Sequence, residues 1–401
     1  MQKLPRMSLS PRRYRLRLCT LAVVGIALLP VVNCAQQQNS TGKHSLKFIV
    51  KGDERSLPKN TGKQPDECGV KSLEILADGT RPDFSPDGKL IAFDRKVKGT
   101  FELFIMNSDS NNQRCLTCGR KIPPELRKKH KGKATFHPSG SYLLFGSENE
   151  HGNHGFVATP GIGDNHDLWV RGLDKNTYWR LTKLPKNYAV QYPRFSADGK
   201  KLLWSERYEK GKFRSVGREY GIWKLKLADF EITSKGPRLS NIRELEPGGK
   251  GFYEPHGFSP DGHTIIFTAA LEPDKPQIYG TIYTYDLRSK KLTKLTKDDY
   301  LHHEQALYSP GGSKISLMIG PFVGLSRLAY KTDLYLMDAD GSNRVRLTHF
   351  NQQGHLDYRG GSTIIDKNVW HPTGTEIVSA YHVIKKRESK VFKVKLRGAC
   401  G

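Results

Sequence analysis

The feature that most constrains this chain is a short turn sequence that recurs six times. FSPDG stands at residues 84–88 and again at 258–262. Looser copies that keep the aromatic residue and the final Gly are FHPSG at 136, FSADG at 195, YSPGG at 308 and WHPTG at 370. Pro presets φ and Gly accepts left-handed geometry, so each copy predicts a tight turn. Successive copies start 50 to 63 residues apart, which is the range expected of a repeated supersecondary unit.

Each repeat contains the composition of four short strands. In residues 77–118, RPDFS precedes the turn, KLIAFDR and FELFIMN follow it, and QRCLT comes after the polar SDSNN. Short runs rich in β-branched and aromatic residues, bounded by turn formers, are typical of strands. Later repeats keep this order without an amphipathic helix of useful length. Six four-stranded antiparallel sheets bury both faces when they stand around a channel, so the sequence predicts an all-β fold, a six-bladed β-propeller.

The two ends of the repeat region predict how the ring closes. The sixth repeat lacks a fourth strand, whereas KSLEIL at residues 71–76 precedes the first repeat without strands of its own. We therefore expect 71–76 to complete blade six, and the propeller to span residues 71–401. Cys68 precedes this strand and Cys400 follows the third strand of blade six. A Cys68–Cys400 disulfide would lock this seam and contribute about 3 to 5 kcal/mol.

Cys115 and Cys118 form a C-x-x-C sequence, which in other contexts indicates a redox or zinc site. No helix start follows this sequence and no second C-x-x-C is present. We therefore interpret the two cysteines as structural, either bridged across a bend or free.

Residues 1–34 differ from the rest of the chain. Six basic residues and no acid precede and accompany the apolar run LCTLAVVGIALLPVV. This pattern is typical of an export signal, and the apolar run is short for a membrane span. LPVVNC, ending at Cys34, is similar to a bacterial lipoprotein processing box, which predicts lipidation of Cys34; cleavage after Ala35 by the ordinary signal peptidase is the alternative. Residues 35–70 are interpreted as a polar linker, and the location as extracytoplasmic, in the periplasm or at the outer membrane of a bacterium.

The charge of the chain indicates the kind of partner. Lys and Arg number 65 against 40 Asp and Glu, which gives a net charge of +25. Blades one and two carry a basic group: Arg81, Arg120, Lys121, Arg127, Lys128, Lys129, His130, Lys131 and Lys133. Within residues 119–133 the one acid is Glu125. Such a cluster attracts polyanions, although a solvated loop is the alternative. Export and the scarcity of interleaved aromatic residues favour an anionic glycan or lipid headgroup over nucleic acid.

A second group of residues is predicted at the mouth of the channel. Four residues before each turn aromatic, the first strands carry Thr80, Gly132, Gln191, Glu254, Glu304 and Asp366. Close to the acids of this set lie Tyr253, His256, His302, His303 and Gln305. Such a cluster could bind a divalent metal, or act as acid and base on a sugar. Polar residues line the water-filled channel of any propeller and no metal-binding spacing stands out, so we predict no cofactor, with a divalent metal at the mouth as the alternative.

The long insertions of the chain all belong to one face of the predicted ring. They occupy residues 148–166, 206–220, 271–280 and 320–332. These segments join second to third strands, which puts them on the same side as the channel mouth just described. Loops on a rigid scaffold usually carry the binding surface, so this long-loop face is the predicted functional face.

The composite repeat resembles a known family. An aromatic residue followed by Ser-Pro-Asp-Gly-Lys, an apolar strand and then DLYLMDADGSNRVRLT is similar to the repeats of TolB-type β-propellers, which are related to WD-type blades. The resemblance covers residues 71 to about 398 and implies the propeller fold. TolB itself has an additional amino-terminal α/β domain, for which residues 35–70 are too short and polar, so a Tol-Pal envelope role is implied only loosely. Prolyl oligopeptidase-type enzymes use similar propellers, but their hydrolase domain with a G-x-S-x-G elbow is absent, which excludes peptidase activity.

Two hypotheses about function follow. The first is an exported, membrane-anchored, monomeric propeller without catalytic activity, which binds an envelope protein or an anionic glycan or lipid headgroup through its long-loop face. The predicted binding residues are Tyr253, Gln191, Gln305, Asp366, Arg81, Arg127, Lys128, Lys131 and Lys133. The alternative is a metal-assisted lyase or hydrolase acting on acidic oligosaccharides. Its predicted catalytic residues are Glu254, His256, Glu304 and His303.

Overall fold

The computed structural model describes residues 68–212, 219–323 and 330–398. Their strands form six antiparallel sheets, each of which packs against the next along the chain, and the first also packs against the sixth. The predicted all-β, six-bladed propeller is confirmed. The predicted signal peptide with Cys34 and the predicted linker up to residue 67 lie outside the described residues, so both stay predictions. No helix among the described residues is long and apolar enough to span a membrane.

The first three blades follow one another without a crossover, and each runs outward from the channel in chain order. Blade one consists of β2 (Thr80–Phe84), β3 (Leu90–Val97), β4 (Thr100–Asn107) and β5 (Arg114–Cys115). Blade two consists of β6 (Lys131–Phe136), β7 (Tyr142–Glu148), β8 (His166–Gly172) and β9 (Tyr178–Arg180). Blade three consists of β10 (Ala189–Phe195), β11 (Lys201–Glu209), β12 (Ile222–Thr233) and β13 (Gly236–Leu245).

The last three blades repeat the arrangement, and blade six incorporates β1 (Val70–Asp78). Blade four consists of β14 (Phe252–Phe258), β15 (Thr264–Ala270), β16 (Thr281–Asp286) and β17 (Leu292–Lys294). Blade five consists of β18 (Leu301–Tyr308), β19 (Lys314–Pro321), β20 (Asp333–Asp338) and β21 (Val345–Arg346). The remaining strands of blade six are β22 (Thr363–Ile365), β23 (Val369–Trp370), β24 (Glu376–Val383) and β25 (Glu388–Leu396). Short 3-10 turns occur at Pro124–Leu126, Phe156–Ala158 and Ile384–Lys386.

The seam of the ring is closed as the sequence predicts. Strand β1 pairs antiparallel with β25, with Leu73 opposite Val394, and the Arg397 N–H donates to the Gly69 carbonyl at 2.9 Å. Cys68 is 9% exposed and is disulfide-bonded. Because Cys400 lies outside the described residues, its pairing with Cys68 stays a prediction.

The recurring turn has a local chemical reason. In the first copy, the Ser85 hydroxyl donates to Asp87 at 2.6 Å and accepts the Leu90 N–H at 2.9 Å, while Gly88 has a φ of 72°. In the copy at residues 136–140, His137 replaces Ser, and its Nδ1 contacts the Ser139 hydroxyl at 2.9 Å. Both pairs fix the turn from within. The Gly that ends the motif lies in the left-handed region in all six copies, where a side chain would be strained.

A second recurring feature is an irregularity in the innermost strand of the blades. The pairing register shifts between Thr80 and Asp83 in β2, and corresponding shifts occur in the first strands of blades two to five. Four of these bulges hold a non-glycine residue at positive φ, namely Arg81 (51°), Lys133 (56°), Tyr192 (45°) and Gln305 (56°), and the bulge of blade four has Gly257 (157°). Bulges re-aim side chains, and long side chains are rarely held in this conformation. Here the bulges direct a ring of polar side chains at the channel axis.

The apolar core lies between neighbouring blades. Leu144 and Leu168 of blade two pack with Leu202 and Trp204 of blade three in one cluster. Trp204 is 1% exposed, and truncation of a buried Trp costs about 3 to 5 kcal/mol. Each sheet thus depends on the next for burial.

The C-x-x-C cysteines are bonded to each other. The Cα atoms of Cys115 and Cys118 are 5.6 Å apart, whereas residues three apart on a straight strand would lie about 10 Å apart. Strand β5 ends at Cys115, so the disulfide spans a bend, as in one of the two structural readings of the sequence.

Candidate functional site

The long-loop face carries a cavity of about 470 Å³ at the mouth of the channel. Its walls are aromatic: Phe101, Phe156, Tyr192, Tyr220, Trp223, Phe252 and Tyr330. Its floor is charged or polar: Arg81, Gln191, Glu254, His302, Glu304 and Asp366. We call this cavity the channel pocket. A concave site with apolar walls and a few convergent polar groups is the usual form of a ligand site.

One side of the floor is built around Arg81, which is 5% exposed. Its guanidinium donates to Asp94 at 2.5 Å and to Asp366 at 3.2 Å. His382 Nε2 also lies 3.0 Å from Asp366. Burial acts to raise the pKa of Asp366, but the hydrogen bond with His382 and the charge of Arg81 outweigh it and hold that pKa well below its usual range. Arg81 is therefore neutralised by two carboxylates, one of which is shared with an imidazole.

The opposite side of the floor is a pair of buried glutamates. Burial raises the pKa of Glu254 well above its usual range, and the charge of Glu304 raises it further. For Glu304 burial acts in the same sense, but hydrogen bonds from His302 and Glu254 outweigh it, so its pKa is lowered. His302 Nε2 lies 3.4 Å from Glu304, and Gln305 Nε2 donates to Glu254 at 3.0 Å. Two adjacent carboxylates cannot both ionise at low cost, and the raised pKa of Glu254 favours the form in which it donates a hydrogen bond to Glu304.

Lys133 lies between the two sides and directly below the pocket. Its ammonium donates to the Gln191 side chain at 2.7 Å and stands 3.6 Å from the centroid of the Tyr192 ring. Burial lowers the pKa of Lys133 to about 7, against the opposing effect of Glu254. Near neutral pH this amine therefore changes its charge, and with it the field at the pocket floor.

A second polar layer lies deeper in the channel. Asp83 contacts Lys367 at 3.0 Å and Arg194 at 3.5 Å. His256 Nε2 accepts the Gln305 N–H at 3.2 Å, and burial lowers the pKa of His256 to about 3. Neutral His256 is part of the support beneath the pocket and does not line it.

The structure brings together most of the residues predicted at the channel mouth. Gln191, Glu254, Glu304, Asp366 and Arg81 line the channel pocket. Gln305 and Lys133 lie below it and hydrogen-bond to Glu254 and Gln191, respectively.

Three other predicted residues lie elsewhere. Tyr253 is fully buried among apolar residues, and its hydroxyl donates to the Gly249 carbonyl at 2.7 Å. His303 is fully buried and contacts Asp298 at 3.1 Å, and His256 lies in the deeper layer. Alternate residues of a strand point to opposite faces, so Glu254 and His302 face the pocket while Tyr253 and His303 face away.

Some of the predicted basic residues are exposed, and others are buried inside the protein. Arg127 and Lys128 are exposed and line a separate groove. Lys131 is fully buried, where its ammonium donates to the Leu126 carbonyl at 2.7 Å and lies 3.2 Å from Glu102. Lys131 thus has a structural partner inside the protein, although it lies three residues from Lys128.

Several residues that line the channel pocket were not predicted from the sequence. Tyr220 and Tyr330, whose hydroxyls hydrogen-bond to each other, come from the predicted insertions in blades three and five. His382 comes from β24, a second strand. The signals available were an aromatic residue within a long insertion and the strand alternation that separates His302 from His303.

One group of metal-ligand residues was found among the described residues, and it does not include the acids of the pocket. His349, His355 and Asp357 lie in the connection between blades five and six. Their imidazole rings stack with centroids 4.1 Å apart, and His355 Nδ1 accepts the Asp357 N–H at 3.1 Å. The nitrogen of His355 that faces Asp357 is thus engaged by the backbone.

No family model matches the chain, and comparison with solved structures gives matches of low sequence identity. TolB from Acinetobacter baumannii is 15% identical with a TM-score of 0.48, and the match covers 79% of this chain and 65% of that one. The putative TolB from Agrobacterium tumefaciens is 16% identical with a TM-score of 0.47, covering 81% of this chain and 90% of that one. An oligogalacturonate lyase in complex with manganese is 12% identical with a TM-score of 0.48, covering 84% and 98%. The propeller is defined by the strand pairing itself, and these likenesses carry no argument about function.

Proposed function

We propose that this protein is an exported, membrane-anchored propeller without catalytic activity, which binds a protein partner or an anionic component of the bacterial envelope through its long-loop face. The contact would centre on the channel pocket. A rigid ring with its long loops on one face presents a preformed binding surface.

The observation that carries this proposal is the state of the charges at the pocket floor. Arg81 is neutralised by Asp94 and Asp366, and Glu304 is hydrogen-bonded by His302 and by Glu254, whose pKa burial raises. Charged groups that are paired with one another inside the protein are held in fixed positions, so they present a preformed pattern of polar groups to a ligand. The aromatic walls provide the apolar area that a bound segment would bury.

The rim of the pocket supports contact with a partner. Phe156 is 60% exposed and Val157 is 41% exposed, and Phe156 also lines the pocket. Large apolar side chains at the edge of a concave site favour a partner that covers them.

The proposal is tested by placing a photo-crosslinking residue at Phe156 in intact cells. The matched control is Ile232, an apolar residue that is 46% exposed near the β12–β13 turn on the opposite face. We expect the same envelope component to be captured from position 156 in repeated experiments and not from position 232. Equal capture from both positions, or capture from 232 alone, would contradict the proposal. Metabolic labelling with a fatty-acid analogue, lost in Cys34→Ala, tests the anchor.

A second candidate function is an enzyme acting on acidic oligosaccharides. The observation in its favour is that the pKa of Glu254 is raised and that of Glu304 is lowered beside His302, since paired carboxyls with divergent pKa values serve as acid and base in many enzymes. Against it, carboxyls in hydrogen-bond contact are closer than the about 5 Å or more of glycosidase pairs.

The two functions differ in their response to one double substitution. Glu254→Gln together with Glu304→Gln keeps the size and the hydrogen-bonding capacity of the pair but removes the acid and the base. Under the enzyme hypothesis, the wild type releases new reducing ends from acidic oligosaccharides, with an unsaturated uronate if it is a lyase and without one if it is a hydrolase, and this variant releases neither. Under the binding hypothesis, no such product forms with the wild type, and capture from position 156 persists.

A further inference from the structure

A groove between blades one and two is separate from the channel pocket. It has a volume of about 960 Å³ and is formed by the β3–β4 turn, by Glu102, by parts of residues 117–128 and by His154 of blade two. It shares no lining residue with the channel pocket. We call it the basic groove, because its charged rim residues are Lys98, Arg120, Arg127 and Lys128. We propose that the basic groove binds phosphate groups. This site is distinct from the channel pocket, on which the proposed function centres.

The four cations of the groove are not neutralised by the protein. All four are exposed, and none forms an ion pair with a carboxylate in the described part of the chain. The Arg127 guanidinium is held in place by the carbonyls of Ile122 at 3.3 Å and Arg120 at 3.1 Å. Its position is thus fixed by neutral acceptors, which leave its charge uncompensated.

Glu102 is an acid that lines the groove, and its charge is neutralised by a partner inside the protein. The Thr117 hydroxyl donates to Glu102 at 2.6 Å, and buried Lys131 lies 3.2 Å from it. Glu102 is 8% exposed. With this carboxylate paired inside the protein, the field at the groove surface is set by the four exposed cations.

Comparison with other blades explains why Glu102 of blade one pairs with Lys131 of blade two. At the equivalent position, Asp167 of blade two pairs with Arg180, and Asp333 of blade five with Arg346, both at 2.6 Å and within the blade. In blade one the residue equivalent to these arginines is Cys115, which faces Phe104 as Arg180 faces Trp169. Blade one therefore takes Lys131 from blade two, and the place of the arginine is occupied by the disulfide.

The disulfide also shapes one wall of the groove. Cys118, Gly119 and Arg120 line it, and the bond between Cys115 and Cys118 ties this segment to the end of β5. A wall held by a covalent link loses less entropy on binding than a free loop. The groove is thus a preorganised site.

The chemistry of the rim selects the class of ligand. Guanidinium groups match the geometry of phosphate oxygens with paired hydrogen bonds, and ammonium groups act as point charges beside them. Attraction grows with the charge of the ligand, so a phosphate dianion or a chain of phosphates gains more from four cations than a single carboxylate does. Inorganic tripolyphosphate and phospholipid headgroups share this chemistry.

The test uses two probes and two variants, in a Cys34→Ala background so that no lipid on the protein contributes. The probes are inorganic tripolyphosphate, measured by calorimetry, and vesicles of phosphatidylglycerol with phosphatidylcholine vesicles as reference. The groove variant changes Lys98, Arg120, Arg127 and Lys128 to Gln. The control variant changes Lys200, Lys235, Lys290 and Lys291 to Gln; these residues are exposed, lie outside both cavities, and their loss alters the net charge equally.

We expect the groove variant to lose at least tenfold in affinity, and the control variant to lose less than twofold. Binding of tripolyphosphate alone would identify a soluble phosphate compound as the source, and binding of phosphatidylglycerol vesicles alone a lipid headgroup; either supports the site if the groove variant loses it. Equal losses in the two variants, or no binding of either probe by the wild type, would overturn the proposal. Neither result depends on capture from position 156, so the two proposals fail separately.

Discussion

The channel pocket and the basic groove lie on neighbouring parts of the protein but differ in whether their charged side chains are buried and paired or exposed. In the pocket, Arg81 and Asp366 are buried and paired, and the cost of removing them from water is offset by their mutual attraction and hydrogen bonds. In the groove, Arg120 and Lys128 are exposed and have no carboxylate partner among the described residues. Charges of the first kind hold the ring together at its axis, whereas those of the second kind remain available to a ligand.

The lysines of one basic segment have two different roles, one structural and one at the surface. Lys128 and Lys131 are three residues apart in one cationic stretch. Lys128 contributes to the field of the groove, while Lys131 neutralises Glu102. The number of cations in a sequence therefore overstates the charge that a partner meets.

The largest effect is expected from breaking the pocket network. Asp94→Ala leaves the buried Arg81 without its closest carboxylate, which should lower the free energy of unfolding by about 4 kcal/mol. Urea denaturation followed by tryptophan fluorescence measures this loss. The control is Asp78→Ala, because Asp78 pairs with Lys390 at the surface and its side chain is 67% exposed; its loss should cost less than about 1 kcal/mol. Equal losses would show that the network does not hold the ring.

The second prediction compares the two lysines of the basic segment. Lys131→Met leaves Glu102 buried without its cation and should destabilise the protein by about 3 kcal/mol, whereas Lys131→Met together with Glu102→Gln removes both charges of the pair and should change tripolyphosphate affinity little. Lys128→Gln should leave the stability within about 0.5 kcal/mol and weaken tripolyphosphate binding. Denaturation and calorimetry on these variants provide the measurement. If the double variant Lys131→Met, Glu102→Gln weakened binding more than Lys128→Gln, the division between structural and available cations would be wrong.

The third prediction concerns pH and Lys133. Its folded pKa of about 7 lies below the value of about 10.4 in the unfolded chain. Between these values the unfolded chain binds more protons than the folded one, so the contribution of Lys133 to stability rises with pH. Relative to Lys133→Met, the wild type should gain about 2 kcal/mol between pH 7 and pH 9. Urea midpoints at several pH values measure the difference between the two proteins, and a constant difference would contradict the lowered pKa.

The smallest effect is expected from the disulfide of the groove. Replacing Cys115 and Cys118 together with Ser opens a very short loop, so the loss of stability should be at most about 2 kcal/mol. The affinity for tripolyphosphate should fall about threefold, since the wall that contains Arg120 is less ordered before binding. Crosslinking from Phe156 in the channel pocket serves as the control and should not change. An unaltered affinity would show that the bond does not hold the wall.

The sequence by itself determined the architecture, because the information for it is local and repeated. Turn copies such as Ser85–Gly88 and strand composition predicted six blades, and the unpaired strand at 71–76 predicted the closure of the ring. The spacing from each turn also placed Glu254, Glu304 and Asp366 at one level of the channel. Apart from the closing strand, which pairs with β25 at the other end of the repeat region, these features depend on neighbours within a blade, whose distances along the chain are short.

Only the tertiary structure decided which of these side chains meet and which stay available. Arg81 and Asp366 are 285 residues apart in the chain and 3.2 Å apart in the ring. The bulge at Arg81 re-aims its side chain, and the partner of Glu102 comes from another blade. The ionisation of a buried group depends on all the charges around it, and closing the ring assembles those charges from strands that the sequence keeps far apart.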